Sequence, residues 1–516
     1  METWEKGMLS LVLRQGRRDR YKALIGTMQV TRNTIIHGDR LSAQEVKQRP
    51  VTFASLIARN ILFSKMRSMT ANITNHCVQK TGLGILILCG GLIATPVTVT
   101  AESLQDIYQL ALTTDPTLGA AEAEYQAALQ AKPQARAALL PQINAQAGHD
   151  WIDTEFKNPG NDFFQDNSYK SQTYGLNLNQ VLYNKDSWVR FAQADSQIAQ
   201  AEALILAARQ ELMVRTAEAY FDALSAKDTL EFAEAEKEAI ARQLEQSRER
   251  FEVGLIAITD VKESEAQHDL AIAEEIDAQN QLNISGETLR SIIGRMPENL
   301  QPLSEDFKLV TPEPANIQKW EESALDNSLS LKAAQFTLEA AKQEVDRRRA
   351  GHYPTLDLKA QYGSQDNDGG FNQGEAINSS VGLEFKLPLY SGGLISAQVG
   401  EATHLQEQAH KNFELQRRES VRETRASYLN VIAGISRVKA LNQALSSTET
   451  AAEAAQAGFE VGTRTAVEVL LALRETYRAK RDYSRARYDY ILSTFRLKQA
   501  AGTLTAKDIA DINRWL

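Results

Sequence analysis

Two stretches decide how this chain is read: Arg250-Phe-Glu-Val-Gly-Leu-Ile-Ala-Ile-Thr-Asp-Val261 and Ala457-Gly-Phe-Glu-Val-Gly-Thr-Arg-Thr-Ala-Val-Glu-Val469. They share the tetrapeptide Phe-Glu-Val-Gly, Phe251 to Gly254 against Phe459 to Gly462, at an offset of 208. Ahead of the first, from Trp188 to Arg250, there is neither proline nor glycine. At 1.5 Å per residue such a run extends roughly 95 Å as one helix. Glycine suits the left-handed position that closes a helix, and Thr465-Ala-Val-Glu468 then reads as the capping box that opens the next. Each tetrapeptide is predicted to be the tip of a long helical hairpin, one near 254 and one near 462.

Outward from the tips the chain repeats itself. Ala111 to Ile143 lies over Ala324 to Leu356 at a constant offset of 213, and Tyr220 lies over Tyr428 at 208. The sequence therefore divides into two copies of one unit, 102–305 and 306–516, joined where Pro297, Pro302, Pro312 and Pro314 interrupt helical sequence. Each copy opens with an Ala-rich helical stretch and then changes period. Ile143, Ala145 and Ala147 alternate with Gln142, Asn144 and Gln146; Tyr174, Leu176 and Leu178 alternate with Gly175, Asn177 and Asn179. The second copy repeats this with Leu356, Leu358, Ala360 and Tyr362, then with Val381, Leu383, Phe385, Leu387 and Leu389. These runs predict strand pairs over 142–182 and 355–390, with polar loops over roughly 152–172 and 363–379.

A strand of about ten residues with one apolar and one polar face fits a bilayer-spanning barrel. Four strands cannot close one, since the smallest closed membrane barrels have about eight. Unpaired edges in lipid are costly, so pooling of strands between copies of the chain is predicted. After the second strand pair, Val421, Tyr428 and Ile435, with Thr424, Val431, Val438 and Leu445, follow a heptad that predicts coiled-coil pairing. Ala192, Ala194, Ala199 and Ala201 would permit close helix approach.

Composition narrows the function. The chain has 516 residues, 57 Lys+Arg, 66 Asp+Glu and only two cysteines, Cys77 and Cys89, which excludes a disulfide-stapled scaffold. Residues 1–101 hold 14 basic and 5 acidic side chains, leaving 43 and 61 for the other 415 residues, a net charge of −18. That balance argues against a nucleic-acid partner. The apolar run Gly82 to Ala94, with Arg67 and Lys80 before it and Val99-Thr-Ala101 after it, has the anatomy of a signal peptide over 66–101. Residues 1–65 then read as a non-functional extension, with translation from Met66 or Met69. Leu88, where lipoprotein processing wants a small residue, argues against lipidation of Cys89. Beyond 101 no apolar run reaches the ~18 residues of a membrane-spanning helix. His149, His268, His352, His404 and His410 form no metal-ligand spacing, and no nucleophile elbow, phosphate-cradling loop or zinc motif is present. The reading is therefore of a non-enzyme without cofactor or metal.

The tip sequences closely resemble those of the TolC family of outer-membrane channel proteins. So do the duplicated halves, Gln180-Val-Leu-Tyr183, Leu387-Pro-Leu-Tyr-Ser-Gly-Gly393, Arg487-Tyr-Asp-Tyr-Ile491 and Gly502-Thr-Leu504. The resemblance implies a mainly α protein with a small membrane β part. Three protomers would form a homotrimer whose 12-stranded β-barrel sits in outer-membrane lipid and continues as an α-helical coiled-coil barrel across the periplasm. It implies an exit duct for type I protein secretion, multidrug efflux or both, docked on a periplasmic adaptor and an inner-membrane ABC or proton-driven transporter. Carried over position by position, the periplasmic gate is Asp260, Thr259, Phe459 and Arg464, with Phe459 where the family has a tyrosine, so that an Arg464–Asp260 contact holds more of the closure. Glu468 is the lumen carboxylate ring, or simply the capping acid; Leu471 stands where a second acid is missing. Val253, Gly254 and Leu255, with Val461, Gly462 and Thr463, are the adaptor-docking tips. The rival reading is a secreted or periplasmic structural coiled-coil protein without a pore, which leaves the duplicated strand pairs unexplained.

Overall fold

The computed structural model describes residues 101–154, 167–304, 307–370 and 372–516. The leader and the extension lie outside the described residues. Ser103 opens the first helix, α1 (Leu104–Thr114), in a reciprocal capping box with Asp106. Asp115 caps α2 (Pro116–Leu129), accepting from Leu118 N at 2.7 Å, while its second oxygen pairs with Arg215 at 2.8 Å. A short α3 (Ala131–Ala137) leads to β1 (Gln142–Thr154) and β2 (Asn167–Asn184). β2 runs straight into α4 (Lys185–Glu252), 68 residues long, because Asn184 Oδ1 takes up Asp186 N at 3.0 Å and turns the chain from strand to helix. α5 (Ile258–Ile293) returns alongside α4.

The second copy repeats the order: α6 (Ile317–Asn327), α7 (Leu329–Arg349), β3 (Thr355–Asn367), β4 (Gly374–Lys386), α8 (Leu394–Glu460), α9 (Ala466–Ala500), then a closing α10 (Ala506–Ile512). The joining segment around the four prolines holds no helix between Ile293 and Ile317 among the described residues.

The strands form one antiparallel sheet in the order β1-β2-β3-β4. Its register aligns Ile143, Leu178, Ala360 and Val381 in one row and Asn144, Asn177, Gln361 and Ser380 in the next. The predicted alternation thus becomes one apolar and one polar face. The apolar face is bare: Ile143 is 68% exposed, Val381 78% and Leu383 66%. From the row of Leu356 and Phe385 to that of Leu176 and Tyr362 it rises about 20 Å at ~3.4 Å per residue, close to the ~25 Å apolar band of an outer-membrane barrel. The strands run further than their composition suggested. β1 and β2, and β3 and β4, stay paired through much of 152–172 and 363–379, because the ladder satisfies their backbone whatever the local propensity. At the other end β4 stops at Lys386, short of the predicted 390.

The main core lies at mid-length of the helices, where α1 and the joining segment pack on α4, α5, α8 and α9 through Leu104, Leu212, Phe221, Ile293, Val431 and Phe495. Tyr220 ties it together, donating to Glu102 O at 3.1 Å and Gln301 O at 2.8 Å. The heptad is buried at Thr424, Val431, Ile435 and Val438, while Val421, Tyr428 and Leu445 are half-buried. Of the small residues on α4, Ala194 is buried but Ala192 faces outward. There Gln193 and Ser196 bond to α7, so the register of that contact centres on 194 and 196.

Candidate functional site: the two hairpin tips

Both long helices end in the same backbone device. At the first tip Gly254 has φ +77°, Gly254 N donates to Phe251 O at 2.9 Å and Leu255 N to Arg250 O at 2.8 Å. At the second, Gly462 has φ +79°, Gly462 N donates to Phe459 O at 3.1 Å and Thr463 N to Gly458 O at 2.8 Å. These are paired Schellman closures, which only glycine adopts without strain at the left-handed position. They leave Val253, Leu255 and Val461 at 70%, 73% and 76% exposure on the ends of the molecule's two hairpins. Thr463 is also exposed, its hydroxyl donating to Gly458 O at 3.1 Å.

The helices that follow start differently. α9 has the full capping box: Glu468 N donates to Thr465 Oγ1 at 3.3 Å and Thr465 N to Glu468 Oε2 at 2.9 Å. α5 begins at Ala257 with no side-chain cap. Asp260, the counterpart of Glu468, has no carboxylate partner within the protomer among the described residues, and Thr259 is exposed. Arg464 turns to Glu468, Nη1 to Oε1 at 3.0 Å, so within one protomer the Arg464–Asp260 contact is not made. Both Glu468 oxygens are therefore engaged. The Thr465 backbone N–H, then Arg464, hold its carboxyl below the ordinary range, and it stays ionised although exposed.

Phe459 is the buried centre of the second tip, 2% exposed against Ala455, Ala466 and Val469. A residue that the sequence reading did not single out covers it. Arg250, across the hairpins, lies with its guanidinium 4.0 Å from the Phe459 ring centroid and donates from Nη1 to Phe459 O at 2.8 Å. The signal was a break in the repeat, because Arg250 stands over Gly458 at the same offset of 208. Gly458 has its own reason, since a Cβ there would meet Arg464 Cγ at 2.6 Å. Above the tips, Gln243 of α4, Ala452 and Gln456 of α8 and Leu473 of α9 line an open groove of about 490 Å³. Gln243 is 3% exposed and its Nε2 finds no acceptor in the protomer.

Among the described residues no group of three or more side chains is placed to hold a metal ion, and no helix is long and apolar enough to cross a membrane.

Comparison with known proteins agrees with this geometry. The family described as outer membrane efflux protein matches residues 107–295 and 320–503, the two structural copies. Outer membrane protein TolC of Vibrio cholerae is 39% identical over 422 residues, 81% of this chain and 94% of that protein. Alkaline protease secretion protein AprF of Pseudomonas aeruginosa is 31% identical over 415 residues, 79% of this chain and 86% of its own length. Among solved structures, the CmeC outer membrane channel of Campylobacter jejuni superposes with a TM-score of 0.67 at 17% identity, covering 84% of this chain and 98% of that one.

Proposed function

We infer the working form from one premise: the chain belongs to the outer membrane efflux protein family. It is an exit duct of the outer membrane that extends into the periplasm, and it is not an enzyme. Three copies pool their strands into one 12-stranded barrel. The observation that carries this is the four-stranded sheet, with a bare apolar face and two open edges, β1 and β4. Alone it would leave unpaired backbone in lipid, and three such sheets exceed the ~8 strands of the smallest closed barrels. The rival without a pore gives that face no purpose.

Below the membrane the helices of three copies enclose a tunnel that narrows at the tips. Asp260, Thr259, Phe459 and Arg464 form the gate, with Arg464 reaching Asp260 of a neighbouring copy when it leaves Glu468. Glu468 adds a ring of three carboxylates that favours cations. The exposed Val253-Gly254-Leu255 and Val461-Gly462-Thr463 receive a periplasmic adaptor, through which an inner-membrane ABC or proton-driven transporter supplies the energy. The name of the Pseudomonas relative points to protein cargo and the family description to efflux, and this duct serves one or both.

The test is conductance of the purified protein in planar bilayers, with migration of unheated and heated samples to report the trimer. Discrete channels from a heat-dissociable trimer are the expected result; a protein that stays monomeric and silent would be the pore-less coiled coil. For docking, Val253→Glu and Val461→Glu should abolish export while leaving conductance intact.

A further inference from the structure

One charge cluster lies away from the tips. About 18 residues up α4 from Gly254, roughly 27 Å at 1.5 Å per residue, Glu236 is 3% exposed among three helices. Arg481 of α9 holds it, Nη1 to Glu236 Oε2 at 3.1 Å, but the same Nη1 lies 3.0 Å from Glu274 Oε1 of α5. One guanidinium is thus divided between two carboxylates, and Glu236 is the buried one. Arg474 and Tyr477 of α9 complete the titratable groups that reach it from the packed helices. Its neighbours on α4 are occupied elsewhere, Lys237 with Glu275 at 2.6 Å and Arg242 with Glu238 at 2.8 Å. Two turns nearer the core the same helices are tied without such competition, Asp228 taking hydrogen bonds from the Tyr488 hydroxyl at 2.8 Å and from Ser484.

A buried carboxylate with half a counter-ion keeps much of its desolvation penalty. Burial, with Glu274 adding to it and Arg481 and Arg474 opposing, pushes the Glu236 carboxyl above the ordinary range. A carboxyl that binds protons more tightly when packed than when free stabilises the packed state on protonation. That stabilisation is complete below the free value and is lost as pH rises through the raised one.

We propose that Glu236, Arg481 and Glu274 form a proton-sensitive clamp between the two hairpins, tightening when Glu236 takes a proton and loosening when it ionises. The clamp joins α4 and α5 to α9 on the tip side of the main core, where the buried apolar contact shrinks to Ile240, Ala271 and Leu470. It deepens the duct reading, on which its effect on conductance rests; its effect on stability does not depend on that reading.

The experiment uses the full-length detergent-solubilised protein, as wild type, Glu236→Gln and Glu274→Gln, with thermal unfolding and single-channel conductance followed from about pH 5 to about pH 8. Wild type should melt about 2 °C higher at the acid end and conduct less at rest. Glu236→Gln, permanently neutral, should lose that pH response and stay tight throughout. Glu274→Gln gives Arg481 wholly to Glu236 and should shift the response to lower pH; being at an exposed position, it remains informative if Glu236→Gln fails to fold. A Glu236→Gln protein with the wild-type pH response, or no shift in Glu274→Gln, overturns the clamp. Silence of every variant in bilayers, with the melting pattern intact, overturns the duct and leaves the clamp standing.

Discussion

Phe251-Glu-Val-Gly254 and Phe459-Glu-Val-Gly462 are the same four residues in the same backbone closure, yet Phe251 is 40% exposed and Phe459 2%. The closure is local: glycine at the left-handed position and the two hydrogen bonds back into the last turn need nothing from outside the segment. The burial is not local. Phe459 packs against Ala455, Ala466 and Val469 and lies under Arg250, and two of these contacts fall where the copies diverged, Arg250 over Gly458 and Ile258 over Ala466. The first tip thereby supplies an arginine that covers the phenylalanine of the second, while Thr465 and Glu468 cap the helix beside it. The second tip became a packed and capped end, and the first an open one.

The comparison predicts its largest effect at the phenylalanines. Phe459→Ala removes a buried ring and should cost about 3–5 kcal/mol. Phe251→Ala should stay within about 0.5 kcal/mol, as for an exposed site without special contacts. Denaturant midpoints of the full-length variants measure both, and equal losses would break the distinction. The glycines should behave alike instead. Gly254→Ala and Gly462→Ala put a Cβ into open space at φ +77° and +79°, so each should cost about 1–2 kcal/mol from the backbone alone. Hydrogen exchange at the two helix ends reads this directly. Unequal losses there would mean that the closures are not local after all.

What the sequence made legible has the same division. Helix length, hairpin tips and the apolar face of the sheet follow from glycine, proline and periodicity, and it is the strand ends that differ, Leu387 and Leu389 lying beyond β4. Arg464 illustrates what did not. Read from the family pattern it belongs with Asp260; in the protomer it is four residues from a carboxylate already oriented by Thr465, and it pairs there. The cover over Phe459 was equally hidden, since its arginine lies 209 residues away in the chain. Of the two readings of Glu468, the cap is seen in the protomer, and the lumen ring stands as a proposal about three copies.

The caps come next in size. Thr465→Ala should cost about 1 kcal/mol, while Ala257→Ser, giving the first tip the missing side chain, should gain up to that amount. The acid partner adds a pH signature to the second tip. The folded-state value of Glu468 is lowered, so its contribution is present above the free carboxylate range and is lost as pH falls through the lowered value. Protection of the first turn of α9 should therefore decline on acidification. Ion selectivity bears on the same residue. Leu471 is 54% exposed one turn beyond Glu468, and Leu471→Asp should raise cation preference in reversal-potential measurements if Glu468 faces the lumen. No change would leave Glu468 with capping alone.

The smallest effect tests whether the buried phenylalanine acts in the proposed gate. Phe459 fills its site without a hydroxyl, so the proposed gate lacks a donor that a tyrosine would add. One neutral hydrogen bond is worth about 0.5–1.5 kcal/mol net, small per copy but repeated in each copy of the assembly. Phe459→Tyr should therefore lower the resting conductance and leave the conductance of the fully open channel unchanged. Thermal stability separates the two ways in which this could go differently. An unchanged resting conductance with lost stability would mean that the hydroxyl is buried beneath Arg250 without a partner. Unchanged conductance with unchanged stability would mean that it reaches water, and the difference between the tips would then concern packing and not gating.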